Sequence, residues 1–472
     1  TLFRSTPPPP PPPPPFTTSP HPHSPPPPAT SLTTSGRALT MPAVNWLADQ
    51  RWTTQTPRLG ERLDVSPDQS TDDWRLDVPA KGACYLLADA DDQPVLLATA
   101  GNLRAVLETR LREDAADTAN RRTDYRAVVR RVYWRPAFSP FEANWCYLEN
   151  ARRLLADRYK AMIRPWRAHW LTVDPQAQHP RFTTDRRPRR RGISLGPLPT
   201  AASARQAIEI VEDAFDLCRY HELLVQAPDA TACAYKEMGK CPAPCDGSVS
   251  LEHYRGQIRD ALAVLAGDRA AWLADQQAAM KRAAADLAFE QAGRIKARID
   301  RVGQLDREAF DRMRPLDRFR FLSLQRGRGK AMARAFAIVG GRITFMGELQ
   351  RRRQAEQIDW LAEQAATLLA QPLPKLDAAA IERIGLVSWH LLRADREPGV
   401  WLEPHRAAAP DAIAAAIEQA NQPRTDRDAI QVRGESDESV GEGSAPDDDA
   451  DDADDADDAE AGASVDEGSA SA

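Results

Sequence analysis

The chain has 472 residues, 42% hydrophobic and 28% charged, and at roughly 100–200 residues per domain it has room for two to four domains. No apolar run approaches the ~18 residues that a membrane span needs, which excludes a membrane-spanning helix. The formal net charge of −6 hides a split: 16 acidic residues and no Lys or Arg lie between Glu435 and Ala472, leaving 52 acids against 62 bases in residues 1–434. A basic body of this kind suits a polyanionic partner such as nucleic acid.

Residues 1–40 are rich in proline, with unbroken runs from Pro7 to Pro15 and from Pro25 to Pro28. Proline lacks the N–H donor that helices and ladders require, so this leader is expected to be disordered or polyproline-II. Residues 41–78 form a polar N-terminal extension without a clear period. Residues 83–87 and 94–98 predict two strands joined by the turn-like stretch 89–93, a hairpin. Leu103, Val106, Leu107 and Leu111 recur along one side of a predicted helix over 102–112. A further strand is expected over 127–134 and a helix over 140–159. Together these make a small α/β domain at 79–175.

Residues 176–192 read as a basic linker, carrying Arg181, Arg186, Arg187, Arg189, Arg190 and Arg191. Helices are expected at 200–217 and across 250–305. Gly327, Gly329, Gly340 and Gly341 punctuate apolar runs in 318–349, which predicts a β-meander. A helix follows at 350–371, so 306–430 reads as a small mixed segment. Residues 431–472 are an acidic tail, expected to be disordered. The predicted fold class is α+β and multidomain. With no secretory signal, the expected compartment is reducing and cytoplasmic.

Four of the six cysteines crowd into one stretch: Cys218, Cys233, Cys241 and Cys245, spaced C-x14-C-x7-C-x3-C. Four soft thiolates can close a tetrahedral zinc site or hold a four-iron cluster. Pro242 and Pro244 stiffen the loop that carries the last pair. Four unligated thiols are the plain alternative.

The stretches 214–218 and 233–245 resemble the cysteine region of the UvrC family, the incision component of the excinuclease ABC complex, and Gly196-Pro197-Leu198-Pro199 is similar to a Gly-Pro-aromatic-Pro segment of that family. The resemblance implies a cysteine-rich domain at 193–265 with a [4Fe–4S] cluster on Cys218, Cys233, Cys241 and Cys245, zinc being the alternative. Downstream, Phe289-Glu290-Gln291-Ala292 resembles the hallmark of the UVR motif, a helical hairpin through which UvrC and UvrB associate. It implies a hairpin at 266–305 that meets a UvrB-like partner through Phe289, Glu290, Ala292 and Lys296. The family's Arg-Asp pair is Lys296-Ala297 here.

Beside those two segments, 79–175 resembles the GIY-YIG nuclease domain of the family, whose chemistry is metal-assisted phosphodiester hydrolysis. Tyr85 matches the first tyrosine, and Asn102-Leu103-Arg104 is similar to an Asn-Leu-Arg turn. The other catalytic positions are degenerate: the second tyrosine falls on Leu96, the arginine on Val106 and the metal-binding glutamate on Tyr147, with Glu149 two residues away. Leu and Val offer no donor, acceptor or charge. The resemblance therefore implies a nuclease-deficient protein. It would contact DNA through Arg104, Arg186, Arg187, Arg189, Arg190 and Arg191. On this reading 306–430 is too short for the family's RNase H-like and helix-hairpin-helix domains. Two other readings stand beside it. One is an active Mg²⁺- or Mn²⁺-dependent endonuclease rebuilt on Glu142 and Glu149. The other is an iron–sulfur scaffold without DNA.

Overall fold

The computed structural model describes residues 58–112, 125–155, 159–162, 166, 168–329, 332–349, 354–394, 397 and 399–422. The leader at 1–40 and the acidic tail at 431–472 lie outside them. The described chain is mixed α/β, and its strands form three four-stranded antiparallel sheets. No described helix is long and apolar enough to cross a membrane.

The first sheet contains β1 (Glu61–Asp64), β2 (Ala83–Ala88), β3 (Pro94–Ala100) and β4 (Arg131–Pro136), in the order β1-β4-β2-β3. The expected hairpin is β2–β3. Its turn is closed by Asp89, whose Oδ1 accepts from the backbone N–H groups of Asp91 and Gln93 at 2.8 and 2.9 Å. Helix α1 (Leu103–Arg110) starts where Asn102 Oδ1 accepts from Ala105 N. The strand expected over 127–134 is only half strand. Tyr125–Val128 is a helical turn, closed by Arg130, whose guanidinium donates to the carbonyls of Arg126, Ala127 and Val129. The ladder begins at Arg131. Helix α2 (Pro140–Leu154) is capped by Ser139, has proline in its first turn, and ends short of residue 159.

The second sheet corrects the expected boundaries. Strands β5 (His169–Val173), β6 (Thr183–Asp185), β7 (Ile193–Leu198) and β8 (Arg314–Pro315) run in the order β6-β5-β7-β8. Residues 169–173 therefore leave the first sheet, and the basic stretch 176–192 is no free linker, since it supplies an edge strand. The Thr172 and Thr183 hydroxyls lie 2.7 Å apart across that pair. The tight return into β7 needs Gly192, at φ +74°, where a Cβ would meet Val173 O at 2.6 Å.

On this sheet lie α3 (Ala201–Phe215) and α4 (Leu251–Leu265), followed by the hairpin α5 (Arg269–Ala285) and α6 (Phe289–Gly303). The expected break between the hairpin helices falls at 286–288. One apolar core joins Leu171, Leu195, Val211, Ile258, Val302, Leu305 and Phe310, so the feet of the hairpin belong to the same core as the sheet.

The meander expected in 318–349 is present as β9 (Arg320–Arg326), β10 (Ala333–Val339) and β11 (Arg342–Leu349). With β12 (Val400–Leu402) it forms the third sheet, in the order β11-β10-β9-β12. Helices α7 (Gln354–Leu369), α8 (Ala378–Leu391) and α9 (Pro410–Ala420) accompany it, and α7 and α9 bury Leu361, Ala365, Ile413 and Ile417 in its core.

Candidate cysteine centre and the covered helix

The four clustered cysteines sit on a loop that leaves α3 and returns at α4. Helix α3 ends at Asp216, whose φ of 54° is left-handed, and Cys218 follows two residues later. Cys233 immediately precedes the short helical turn Ala234–Glu237, and its side chain makes no capping bond. Cys245 lies in the 3-10 turn Pro244–Asp246, entered through Ala243 at φ 56°. Cys218, Cys241 and Cys245 are buried, and Cys233 is half-buried.

Cys218 and Cys241 are hydrogen-bonded, and Cys245 interacts with both Cys241 and Cys233. The Cys218 contact lowers Cys241 to about 7, helped by the Ala243 N–H and the Arg219 guanidinium against the opposing effect of burial. The same contact, together with burial, pushes the Cys218 thiol up. Lys236 Nζ holds the loop by donating to Asp246 Oδ2 at 2.5 Å and to Ser248 Oγ at 2.7 Å. Arg219 stacks over Tyr235 at 4.5 Å. Among the described residues, no group of three or more His, Cys, Asp or Glu is poised as a metal site. The donor chemistry of four thiols fits a thiophilic group.

The hairpin is docked at its foot and free at its tip. Ile295 and Val302 are buried, Arg298 pairs with Asp216 and Arg301 with Asp213, and Trp272 packs on Phe215 at 5.3 Å. At the tip, Leu287 is 73% and Phe289 68% exposed. Glu290 and Lys296 are exposed, and Ala292 is half-buried.

In the first sheet, Leu96 and Val106 pack against an apolar core that also buries Tyr85. Tyr147 is buried on α2. Glu149 is gripped by Arg383 of α8 through two hydrogen bonds, at 2.5 and 3.0 Å. Glu142 is fully buried, 3.1 Å from Arg334 and 3.8 Å from Arg135, and accepts from Phe138 N. Every residue from Phe141 to Ala151 is buried, because the third sheet and α8 cover the side of α2 that faces away from β2 and β3. Phe141 meets the rings of Phe336, His390 and Trp401 at 5.3–5.5 Å. Asn144 lies 3.2 Å from His390, which pairs with Glu397 at 2.6 Å. Sequence reasoning missed Arg334, Arg383 and His390 as partners of this helix. Nothing local marks them, since they lie far along the chain.

Among the expected DNA contacts, Arg104 is half-buried and donates to Val78 O at 2.9 Å. Arg186, Arg187, Arg189, Arg190 and Arg191 are all exposed between β6 and β7. Arg189 pairs with Asp185 at 2.7 Å, and Arg190 donates to Leu376 O. Arg186, Arg187 and Arg191 have no ion pair among the described residues.

The segment running from β5 through the cysteine loop to α4 is matched by a family model, the middle domain of the UvrC/Cho excinuclease, over residues 168–264. Over this segment the chain resembles UvrC. The relatives agree. The UvrABC system protein C of Syntrophotalea carbinolica is 28% identical over 230 residues, covering 48% of this chain and 37% of that one. The same protein of Haemophilus influenzae is 26% identical over 271 residues, covering 57% and 44%. That of Desulforudis audaxviator is 28% identical over 193 residues, covering 38% and 31%. The chain thus spans between 31% and 44% of the length of these relatives. No solved structure matches it. The family match opens at β5, where the second sheet begins, so the matched unit includes the stretch that sequence reading had set aside as a linker.

Proposed function

We propose that this chain is a nuclease-deficient UvrC-like protein of nucleotide excision repair, which binds DNA in the cytoplasm and meets a UvrB-type partner without cutting. The observation that carries the reading is the burial of α2. A phosphodiester and its metal ion need an open carboxylate, and both carboxylates on this helix face arginines inside the protein. The same observation weighs against an endonuclease rebuilt on Glu142 and Glu149.

The remaining parts support binding. Arg186, Arg187 and Arg191 present guanidinium groups to a phosphate backbone. Leu287 and Phe289 offer a compact apolar tip, which suits another helical hairpin. Cys218, Cys233, Cys241 and Cys245 would hold a [4Fe–4S] cluster, or zinc in its place. Such a group supplies a rigid cross-link between the end of α3 and the start of α4.

The test combines incision and binding. Full-length protein, prepared anaerobically, is incubated with lesion-bearing duplex, Mg²⁺ or Mn²⁺ and a UvrA–UvrB pair. The expected result is a retarded complex with no nick. Nicks that vanish in E142Q or E149Q overturn the reading. Neither nick nor complex moves the protein to the scaffold class.

A further inference from the structure

Two tyrosines stand on the cysteine loop, each two residues beyond a cysteine: Tyr220 after Cys218 and Tyr235 after Cys233. Their rings lie 5.9 Å apart, tilted by 55°. Tyr235 is half-buried, with the Arg219 guanidinium over its ring at 4.5 Å. Arg219 is held in turn by α3, paired with Asp213 and 3.7 Å from Glu212. Backbone bonds fix both tyrosines. Tyr220 O accepts from Leu223 N and Leu224 N, each at 3.1 Å, and from Cys218 Sγ at 3.4 Å. Tyr235 O accepts from Lys240 N at 2.9 Å.

Tyr220 is nevertheless 41% exposed, whereas Tyr254 of α4 is fully buried. A rigidly held aromatic side chain that stays in water forgoes the gain from burial. Lys240 is exposed and has no ion pair among the described residues. The cysteine loop also touches the basic stretch, since a ring nitrogen of His221 lies 3.2 Å from His179 O. From there the chain runs through exposed Arg181 to exposed Arg186 and Arg187. Five residues of extended chain, about 17 Å, separate Arg181 from Arg186. One DNA molecule can therefore meet the tyrosines and the arginines together.

We propose that Tyr220, backed by Tyr235, is a stacking platform for an unpaired DNA base, with Lys240 beside it for the adjoining phosphate. The proposal rests on the DNA-binding reading above and adds the form of DNA that this face takes. Every nucleobase offers a flat π-face to an aromatic ring, so the platform recognises an unpaired base and not a sequence. A base inside a duplex is covered by its neighbours and must leave the stack before a side chain can take their place. The tyrosines thus select for strand state, whereas the arginines between β6 and β7 contact phosphates of either form. The support from Tyr235 and Arg219 matters because a platform that must first be ordered loses affinity.

The test uses the full chain, prepared anaerobically. It is titrated into a single-stranded oligonucleotide carrying 2-aminopurine, and into the same strand in a complete duplex. Anisotropy reads binding, and 2-aminopurine emission reads stacking. The wild type should quench the emission of the single strand. Y220A should weaken single-strand binding about tenfold, the worth of one stacked base, abolish the quenching and leave duplex binding unchanged. Y220F, which keeps the ring, should behave as the wild type. Single-strand affinity and quenching that survive in Y220A overturn the platform. Equal losses for both DNAs in Y220A overturn it too, since the ring then does not read strand state. Duplex binding by the wild type without quenching of the single strand overturns the platform and leaves the DNA-binding reading intact. Failure to bind either DNA overturns both.

Discussion

Glu149 and Arg383 show how a carboxylate is removed from chemistry without being deleted. A planar guanidinium donates to both carboxylate oxygens inside the protein. Removing one partner of a buried pair leaves the other charge uncompensated. E149Q should therefore lower the unfolding free energy by about 3 kcal/mol, while the double variant E149L/R383M recovers most of that loss. Denaturant midpoints of the three proteins check it; equal midpoints for wild type and E149Q would show that the pair contributes nothing. A second residue-scale expectation concerns Tyr133, whose hydroxyl donates to Asp92 at 2.8 Å. Burial, then this bond, pushes Tyr133 up to about 12 from an ordinary value of 10. The folded state keeps its proton longer than the unfolded state does. The contribution is complete below pH 10 and is lost as pH rises through 12. Between those limits the wild type should lose stability more steeply than Y133F, as thermal midpoints at stepped pH will show.

At the scale of elements, legibility followed distance along the chain. The cysteine loop and the α5–α6 hairpin were readable because their chemistry lies in contiguous segments: thiols at close spacing, then a Phe-Glu-x-Ala sequence opening the second of two helices. The β2–β3 hairpin and the β9–β11 meander were readable because turn residues separate short apolar runs. Strand β6 was not readable. It has three residues and sits at a sheet edge among arginines, where charge is common on edge strands and hides the pattern. Leu96, Val106 and Tyr147 were read as degenerate positions from the sequence alone, but the burial of α2 was not legible there, since Phe336, Arg383 and His390 arrive from far along the chain. Two predictions belong here. Replacing Leu287 and Phe289 by Asp should abolish capture by a UvrB-type hairpin and leave the thermal midpoint unchanged, because both side chains are exposed. Replacing Arg186, Arg187 and Arg191 by Ala should weaken DNA binding evenly across sequences and reduce the log–log salt slope by about 2–3. An unaltered slope would place the phosphate contacts elsewhere.

At the scale of the molecule, the cysteine centre and the covered helix belong to different sheets, so each can be disturbed without the other. Anaerobic reconstitution with iron and sulfide should give a visible charge-transfer absorbance that C245S removes. Hydrogen exchange in α2 should be the same in both proteins. Zinc uptake at one ion per chain, with no such absorbance, would assign the site to zinc instead.

The return of the chain at β8 carries a practical consequence for dissecting this protein. The sheet that begins at β5 is completed only when Arg314–Pro315 pairs with β7, on the far side of the hairpin. A fragment cut at residue 264, where the match to the middle-domain family model ends, would keep the cysteines but lose Val302, Leu305, Phe310 and Met313 from its core. It would also expose the free edge of β7 to other chains. The smallest self-sufficient piece should instead run from residue 168 to at least 315, carrying the hairpin as an excursion anchored at both ends. A partner gripping the tip of that excursion would then pull on the sheet through two attachment points at once.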